Sequence, residues 1–178
     1  MLRPAVILSF ILIATLSTAQ TVSLNLARET YFGIEADECN ALRLSDNFAN
    51  NPPKTALLLA YYGASTAAAP ACLSNPAKKI SYFRKGKQLL AEAVKLEPDS
   101  FEIRFLRFAT QSKTPSFLGY NQHIEEDKRF LLANLSKGQK SVSNDRIFNK
   151  MIEFLVDSDK LTKAEQNTIR LSNQTTLK

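Results

Sequence analysis

Apolar residues recur along most of the chain at intervals of three and four positions, which is the spacing of one face of an α-helix. The clearest example is the segment 78–96, where apolar side chains fall within an arc of about 160° and charged side chains lie opposite. Gly86 lies at the middle of the apolar arc, where a missing side chain lets another backbone come close. No sustained alternation of apolar and polar residues is present, so the pattern predicts helices and no strands.

Helix caps and helix breakers divide the pattern into seven predicted helices. Their predicted ranges are 24–48, 54–69, 75–96, 99–112, 121–136, 144–156 and a last one that begins at 162, with loops at 114–120 and 137–143. Capping signals mark three of the starts: Asn75-Pro76, and the capping-box pairs Asp99 with Glu102 and Thr162 with Glu165. The second helix is apolar on most of its surface, so we expect neighbours to cover it on most sides. The predicted fold is all-α, with about seven helices arranged as antiparallel hairpins in a short, irregular superhelix or bundle.

The N-terminal segment has the pattern of a signal peptide. Arg3 precedes the apolar run from Ala5 to Leu16, and small residues follow it at 17–19. A run of about twelve apolar residues is too short for a hydrocarbon core that needs about 20, although a retained signal anchor is the alternative. We therefore expect cleavage after residue 19, a single helical domain over 20–171, and a polar flexible tail over 172–178. The mature chain is expected to be exported and to lack a transmembrane segment.

Export bears on the two cysteines, Cys39 and Cys72, because an oxidising compartment permits a disulfide between them. A continuous helix over 24–48, antiparallel to the next one, would place the two residues about 15 Å out of step. Bridged Cα atoms must lie within about 7 Å of each other. Pro70 could bend the chain back and allow the bridge, but the expectation from helix geometry is two unpaired, partly buried thiols.

The balance of charge is basic. The 178 residues include 23 Lys or Arg and 17 Asp or Glu, which gives a formal net charge of +6 at pH 7. The densest basic cluster consists of Lys78, Lys79, Arg84, Lys85 and Lys87. These residues spread around much of the predicted helix and do not form the single stripe that tracks phosphates, so nucleic acid is not an expected partner. Attraction to anionic lipid or polysaccharide surfaces is physically possible, and an ordinary solvated surface is the alternative.

Residue patterns that carry catalysis or bind metals are scarce. The chain has one histidine, His123, and it lacks the spaced His or Cys pairs of zinc sites as well as the nucleophile-elbow, P-loop and dinucleotide patterns. His123 together with Glu125, Glu126 and Asp127 could form half a metal site. Acidic residues in the first turn of a solvated helix explain the same pattern. We expect no catalytic residues, no metal and no cofactor.

A narrow polar strip on the fourth predicted helix is the candidate binding site. Arg104, Arg107 and Gln111 share this strip, and apolar residues occupy most of the remaining circumference. Because unpaired buried charge is costly, the strip must face carboxylates, a ligand anion or a water-filled groove. One interpretation is pairing with acids on adjacent helices, for which the candidates are Glu92, Glu125, Glu126 and Asp127. The other is a concave groove that holds an acidic peptide or chain terminus, which arginine can bind with two donors.

The spacing of one helix pair resembles a tetratricopeptide repeat (TPR). The residues of its second helix that match the repeat are Gly86, Leu90, Ala93 and the helix-ending Pro98, and those of its first helix are Leu59, Tyr62 and Gly63. The resemblance covers about residues 55–100, and the link between the two helices is roughly eleven residues longer than the 34-residue repeat allows. The whole chain resembles TPR-like, uncharacterised small exported proteins of Gram-negative bacteria. That resemblance implies a periplasmic location and a fold without an assigned activity; a generic helical bundle is the alternative.

Two functional hypotheses follow from these patterns. The first is a non-catalytic exported helical-repeat protein that binds another protein or peptide, with an acidic partner held by the arginine strip. The second is a small-molecule-binding protein or hydrolase whose site lies between helices and uses Tyr61, Tyr62, Arg104 and Arg107. An open groove along several helices would favour the first hypothesis. Convergence of both arginines with a tyrosine or with His123 in a closed pocket would favour the second.

Overall fold

The computed structural model of the protein describes residues 21–176, and side chains as far as residue 172, so the predicted signal peptide lies outside the described residues. Within this range the chain forms nine α-helices and two short 3-10 turns, and no strand. The α-helices are α1 (Leu24–Tyr31), α2 (Cys39–Asn50), α3 (Ala56–Ala68), α4 (Pro76–Leu96), α5 (Phe101–Lys113), α6 (Ile124–Ala133), α7 (Leu135–Val142), α8 (Asp145–Asp157) and α9 (Lys163–Thr176). The 3-10 turns are Ala69–Cys72 and Ser116–Leu118. The all-α prediction is confirmed, with more helices than expected.

Local capping chemistry correctly located two of the helix starts. The Asn75 side chain accepts a hydrogen bond from the backbone N–H of Lys78 at 3.1 Å, and Pro76 opens α4. Thr162 and Glu165 form the predicted reciprocal cap of α9: the Glu165 carboxylate accepts from the Thr162 N–H at 2.7 Å, and the Thr162 hydroxyl accepts from the Glu165 N–H at 3.2 Å. Helix α9 then continues to Thr176, so the polar segment that begins at residue 172 is helical up to that point.

The capping box predicted for Asp99 and Glu102 is wrong. Helix α5 begins at Phe101 after Ser100, whose side chain makes no capping hydrogen bond. Glu102 faces the interior with only 4% of its surface exposed, where its carboxylate binds Arg28. Pairing with a buried cation takes precedence here over capping, because either charge left unpaired in the interior would be costly.

Two predicted helices are broken in the structure. The range 24–48 contains α1, a turn over residues 32–38, and α2. In that turn the Gly33 carbonyl accepts from Asn40 Nδ2 at 3.1 Å, and Asp37 Oδ1 accepts from the N–H of Cys39 at 2.9 Å. The range 121–136 is divided at Asn134 into α6 and α7, and α7 occupies much of the predicted loop at 137–143. Helix α7 forms because its inner face is buried: Leu135, Gly138 and Val142 share that face at helical spacing.

Helices α3 and α5 lie at the centre of the fold. Helix α3 contacts α1, α2, α4 and α5, and every residue from Ala60 to Ala67 is buried, as the apolar pattern predicted. Helix α5 contacts α3, α4, α6 and α7, and α8 packs against α7 and α9. The closest pair is α3 and α4, which meet through glycines: a Cβ atom added to Gly63 would lie 2.8 Å from the backbone nitrogen of Leu90. The predicted tight packing around Gly86 on the partner helix is therefore confirmed.

Cys39 and Cys72 form a disulfide, with their Cα atoms 5.1 Å apart. The expectation of unpaired thiols is wrong because it assumed straight, continuous helices. Residues 51–55 form a loop that takes up part of the expected offset, and the 3-10 turn Ala69–Cys72 brings the chain back against α2. Pro70 lies within that turn, so the bend considered as the alternative is the one observed.

Candidate functional site

The arginine strip of α5 faces the first turns of α6. Arg107 binds Asp127 with two donors: Nε donates to Oδ2 at 2.7 Å and Nη2 donates to Oδ1 at 2.7 Å. Arg104 Nη1 donates to the same Oδ1 at 2.9 Å. Asp127 has no exposed surface, so one buried carboxylate accepts charge-assisted hydrogen bonds from two guanidinium groups. We call this group of residues, with Gln111, Glu126 and His123, the Arg–Asp cluster.

Gln111 connects the strip to the start of α6. Its Oε1 accepts a hydrogen bond from the backbone N–H of His123 at 3.0 Å, and its Nε2 lies 3.5 Å from Asp127 Oδ2. The His123 N–H belongs to the residue before α6, where helix N–H groups lack partners within the helix. Gln111 therefore fixes the position of α6 relative to α5 and keeps Asp127 facing the arginines.

Glu126 forms the outer edge of the cluster, and half of its side chain is exposed. Its carboxylate binds Arg104 Nη1, lies 3.4 Å from Arg107 Nη2 and lies 2.9 Å from His123 Nδ1. The hydrogen bond from Arg104, with smaller contributions from His123 and Arg107, lowers the pKa of Glu126 to about 2. Glu126 is therefore ionised throughout the physiological range.

The remaining contacts of Arg104 orient its guanidinium group. Nε donates to the carbonyl oxygen of Pro98 at 2.7 Å, and the guanidinium carbon lies 5.1 Å from the centre of the Phe130 ring. A cation above an aromatic face gains electrostatic attraction, and the ring excludes water from one side of the group. Arg104 is thus held in one orientation at the boundary between the buried and the exposed carboxylate.

The structure brings Arg104, Arg107 and Gln111 together as predicted and pairs both arginines with acids. Of the four candidate acids, Asp127 and Glu126 bind the strip, while Glu125 binds Lys128 Nζ at 2.9 Å. His123 contacts Glu126, and the described part of the chain contains no group of three or more His, Cys, Asp or Glu residues placed to bind a metal ion.

A second buried charge cluster was missed by the sequence analysis. Arg28 Nε donates to Glu102 Oε1 at 2.8 Å, the Tyr61 hydroxyl donates to the same oxygen at 2.6 Å, and Arg28 Nη2 donates to the Val142 carbonyl at 3.0 Å. Burial, with the negative charge of Glu102, raises the pKa of Tyr61 well above its ordinary value. The available signal was Glu102 itself, a carboxylate between the apolar residues Phe101 and Ile103. The cluster joins α1, α3, α5 and α7 and holds the core together.

The four residues proposed for a small-molecule site do not converge. Tyr61 binds Glu102, Arg104 and Arg107 bind Asp127, and Tyr62 contacts Lys85, whose Nζ lies 4.8 Å from the centre of the tyrosine ring. A cleft between α7, α8 and α9 has a volume of about 10 Å³, which is room for one water molecule.

Comparison with known proteins found no similarity: no family model, curated protein or solved structure matches the chain. Among residues 21–176, no helix is long and apolar enough to span a bilayer.

Proposed function

We propose that the protein is a non-catalytic, exported helical-repeat protein that binds an acidic segment of another protein at the outer edge of the Arg–Asp cluster. One observation carries this proposal: Arg104 is shared by a buried carboxylate, Asp127, and a half-exposed one, Glu126. The buried partner holds the arginines in place, and the exposed partner occupies a position that a carboxylate from another molecule can reach.

Binding would proceed by exchange of carboxylates. A partner carboxylate displaces Glu126 from Arg104 Nη1, while Asp127 keeps both guanidinium groups oriented through its contacts at 2.7–2.9 Å. The number of charges at the arginines is the same before and after exchange, so no buried cation is left unpaired at any stage. The position that Glu126 occupies lies against Arg104 Nη1 and 3.4 Å from Arg107 Nη2, so an incoming carboxylate can face both guanidinium groups.

Two features support the repeat-like architecture and the export that this proposal includes. The backbone contact of α3 with α4 occurs at Gly63 and Gly86, two of the positions on which the TPR resemblance is based. The Cys39–Cys72 disulfide is compatible with an oxidising compartment such as the periplasm. Export is tested by mass spectrometry of the N-terminus of the protein recovered from cells. We expect it to begin within a few residues of Gln20, and an intact Met1 in the major species would contradict export.

The binding proposal is tested by affinity capture from envelope extract, with quantitative mass spectrometry, using the mature protein and three variants. Glu126→Gln removes the internal competitor and should increase recovery of the acidic partner. Arg104→Lys keeps the charge but loses the fixed donors that bind Pro98 and Asp127 and orient the group towards a second carboxylate, so it should reduce recovery. Glu153→Gln, on the exposed surface of α8, is the matched control because it removes the same charge from a residue outside the Arg–Asp cluster.

Recovery of the partner should fall as salt is raised, because exposed charges are screened. The proposal fails if Arg104→Lys and Glu126→Gln, both still folded by circular dichroism, recover the same proteins in the same amounts as Glu153→Gln. Recovery of a tightly bound metabolite with no protein partner would support the small-molecule hypothesis instead.

A further inference from the structure

The loop between α5 and α6 carries the most exposed large apolar side chain in the described part of the chain. Phe117 is 84% exposed and its neighbour Leu118 is 39% exposed. Both belong to the 3-10 turn Ser116–Leu118, between Pro115 and Gly119. A single exposed apolar side chain is ordinary on a protein surface, whereas adjacent ones form a contact surface. Phe117 and Leu118 are neighbours at the same loop tip, so together they offer such a surface.

The tip of this loop is held in a defined shape. The carbonyls of Pro115 and Ser116 accept from the N–H groups of Leu118 and Gly119, both at 3.0 Å. Gly119 has a φ of +59°, a left-handed conformation that favours glycine, and its carbonyl accepts from Gln122 Nε2 at 2.6 Å. The tip therefore projects Phe117 outward from a folded turn.

The loop is attached to the basic surface of α4. The Tyr120 ring packs edge-on against Phe83, with ring centres 5.9 Å apart, and Lys87 Nζ lies 4.7 Å from the centre of the Tyr120 ring. Arg84 and Ile80 lie one and two turns before Lys87 on the same side of α4. Arg84 is exposed, and Ile80 is 52% exposed.

Acidic residues are absent from both segments that build this surface. No Asp or Glu occurs between residues 76 and 91, or between residues 103 and 124, although the chain has 17 in all. Exposed apolar side chains and basic side chains therefore occur together without neighbouring acids in either segment. This combination is complementary to a surface that carries negative charge on the outside and apolar groups beneath it.

We propose that Ile80, Arg84, Lys87, Phe117 and Leu118 form a patch that docks on an anionic lipid surface. Phe117 and Leu118 enter the interface between headgroups and acyl chains, while Arg84 and Lys87 contact anionic headgroups and Ile80 covers the edge of the contact. A lipid surface fits better than a protein partner because the apolar tip is convex. On a protein partner, a projecting aromatic side chain contributes strongly to affinity only where it fills a matching pocket. A bilayer receives such a side chain without a preformed pocket.

The test exploits the absence of tryptophan from the sequence. Phe117→Trp places a single fluorophore at the tip, and Leu26→Trp places one at an exposed apolar position on α1 as the control. We expect vesicles of phosphatidylcholine and phosphatidylglycerol (3:1) to shift the emission of the Phe117→Trp variant to shorter wavelength. The same vesicles should leave the emission of the Leu26→Trp variant unchanged. Vesicles of phosphatidylcholine alone should shift the emission of neither variant.

Charge and burial contributions are separated by co-sedimentation with the same vesicles. Phe117→Ala should weaken partitioning about tenfold or more, as expected for an apolar side chain of this size. Arg84→Gln and Lys87→Gln should each weaken it about fivefold, while Lys163→Gln on α9 should have little effect. Arg104→Lys is expected to leave vesicle binding unchanged, because Arg104 is not part of the patch. A failure of the lipid-docking proposal is therefore distinguishable from a failure of the proposed carboxylate exchange.

Three outcomes would overturn the proposal. One is the absence of an emission shift with anionic vesicles. Another is equal binding by Phe117→Ala, which would show that the tip does not enter the lipid. The third is an emission shift of Phe117→Trp that occurs without vesicles, either as protein concentration is raised or when soluble polyglutamate is added. Either result would show that the patch binds protein or polypeptide.

Discussion

Gly63 and Gly86 bring the backbones of α3 and α4 into direct contact. A Cβ atom added to Gly86 would lie 2.6 Å from the carbonyl oxygen of Gly63, which is closer than real Cβ atoms approach an oxygen. The obstacle is backbone, so a larger side chain cannot be accommodated by rotating a neighbour. The close spacing of α3 and α4 therefore depends on the absence of side chains at Gly63 and Gly86.

Gly86→Ala should therefore destabilise the protein by about 1–3 kcal/mol, the typical cost of overpacking a close contact. In an isolated helix the same substitution would be stabilising, because alanine is more favourable than glycine by about 1 kcal/mol. A loss of stability would therefore identify the close contact with α3. Chemical denaturation provides the measurement, and Ala91→Leu, an enlargement on the exposed side of the same helix, is the control. A Gly86→Ala variant as stable as the parent would show that α3 and α4 do not meet here.

The fold was predictable wherever neighbours in sequence determine it. Asn75-Pro76 and the Thr162–Glu165 pair act within one helical turn, and both starts were correct. The buried position of Gly86 also follows from helical periodicity alone. The breaks at residues 32–38 and at Asn134 did not follow from periodicity. The turn at 32–38 is held by hydrogen bonds that the Asn40 and Asp37 side chains make with the backbone, and helical periodicity does not reveal such bonds.

The candidate site was predictable only in part for the same reason. Arg104, Arg107 and Gln111 share a helix, so their common direction follows from their spacing. Their partners depend on how the loop at residues 114–123 places α6, and sequence could name Asp127 only as one of four acids. The disulfide was missed because it depends on the path of the chain through the loop at residues 51–55 and the turn Ala69–Cys72.

Arg107→Ala should lower the free energy of unfolding by about 3 kcal/mol or more, because it removes both short contacts from a fully buried carboxylate. Arg104→Ala should cost less, since Asp127 keeps its two bonds to Arg107. Urea denaturation measures both values. Arg43→Ala, which breaks an exposed pair with Asp37, is the control and should change stability little.

A double variant identifies the cause of that loss. In Arg107→Ala, Arg104 is the remaining cation bound to Asp127. If the cost comes from this reduced compensation of the buried charge, then Arg107→Ala combined with Asp127→Asn should lose less stability than the sum of the single variants. Additive losses would mean that the two side chains do not interact, which contradicts the observed geometry.

Glu126 should make stability depend on pH in the acid range. Its pKa is lowered from 4.5 to about 2 by Arg104, His123 and Arg107, so the folded protein binds the carboxylate proton less tightly than the unfolded chain does. The contribution is fully present above about pH 4.5 and is lost as the pH falls towards 2. Because half of the side chain is exposed, added salt should weaken the effect. Thermal unfolding of the parent and of Glu126→Gln between pH 2 and 5 measures it, and parallel curves would contradict it.

The Cys39–Cys72 disulfide should stabilise the protein mainly by restricting the unfolded chain. The cysteines are 33 residues apart, and closing a loop of that length contributes about 3–4 kcal/mol in the chain-entropy model. Reduction, or replacement of both cysteines by alanine, should therefore lower Tm by similar amounts and leave the helical circular dichroism of the folded protein unchanged. Reduction removes only the cross-link, whereas replacement by alanine also removes the sulfur atoms. Equal decreases in Tm would therefore assign the loss of stability to the cross-link. Non-reducing mass analysis that finds two free thiols in protein recovered from cells would contradict both the bridge and the oxidising compartment that export implies.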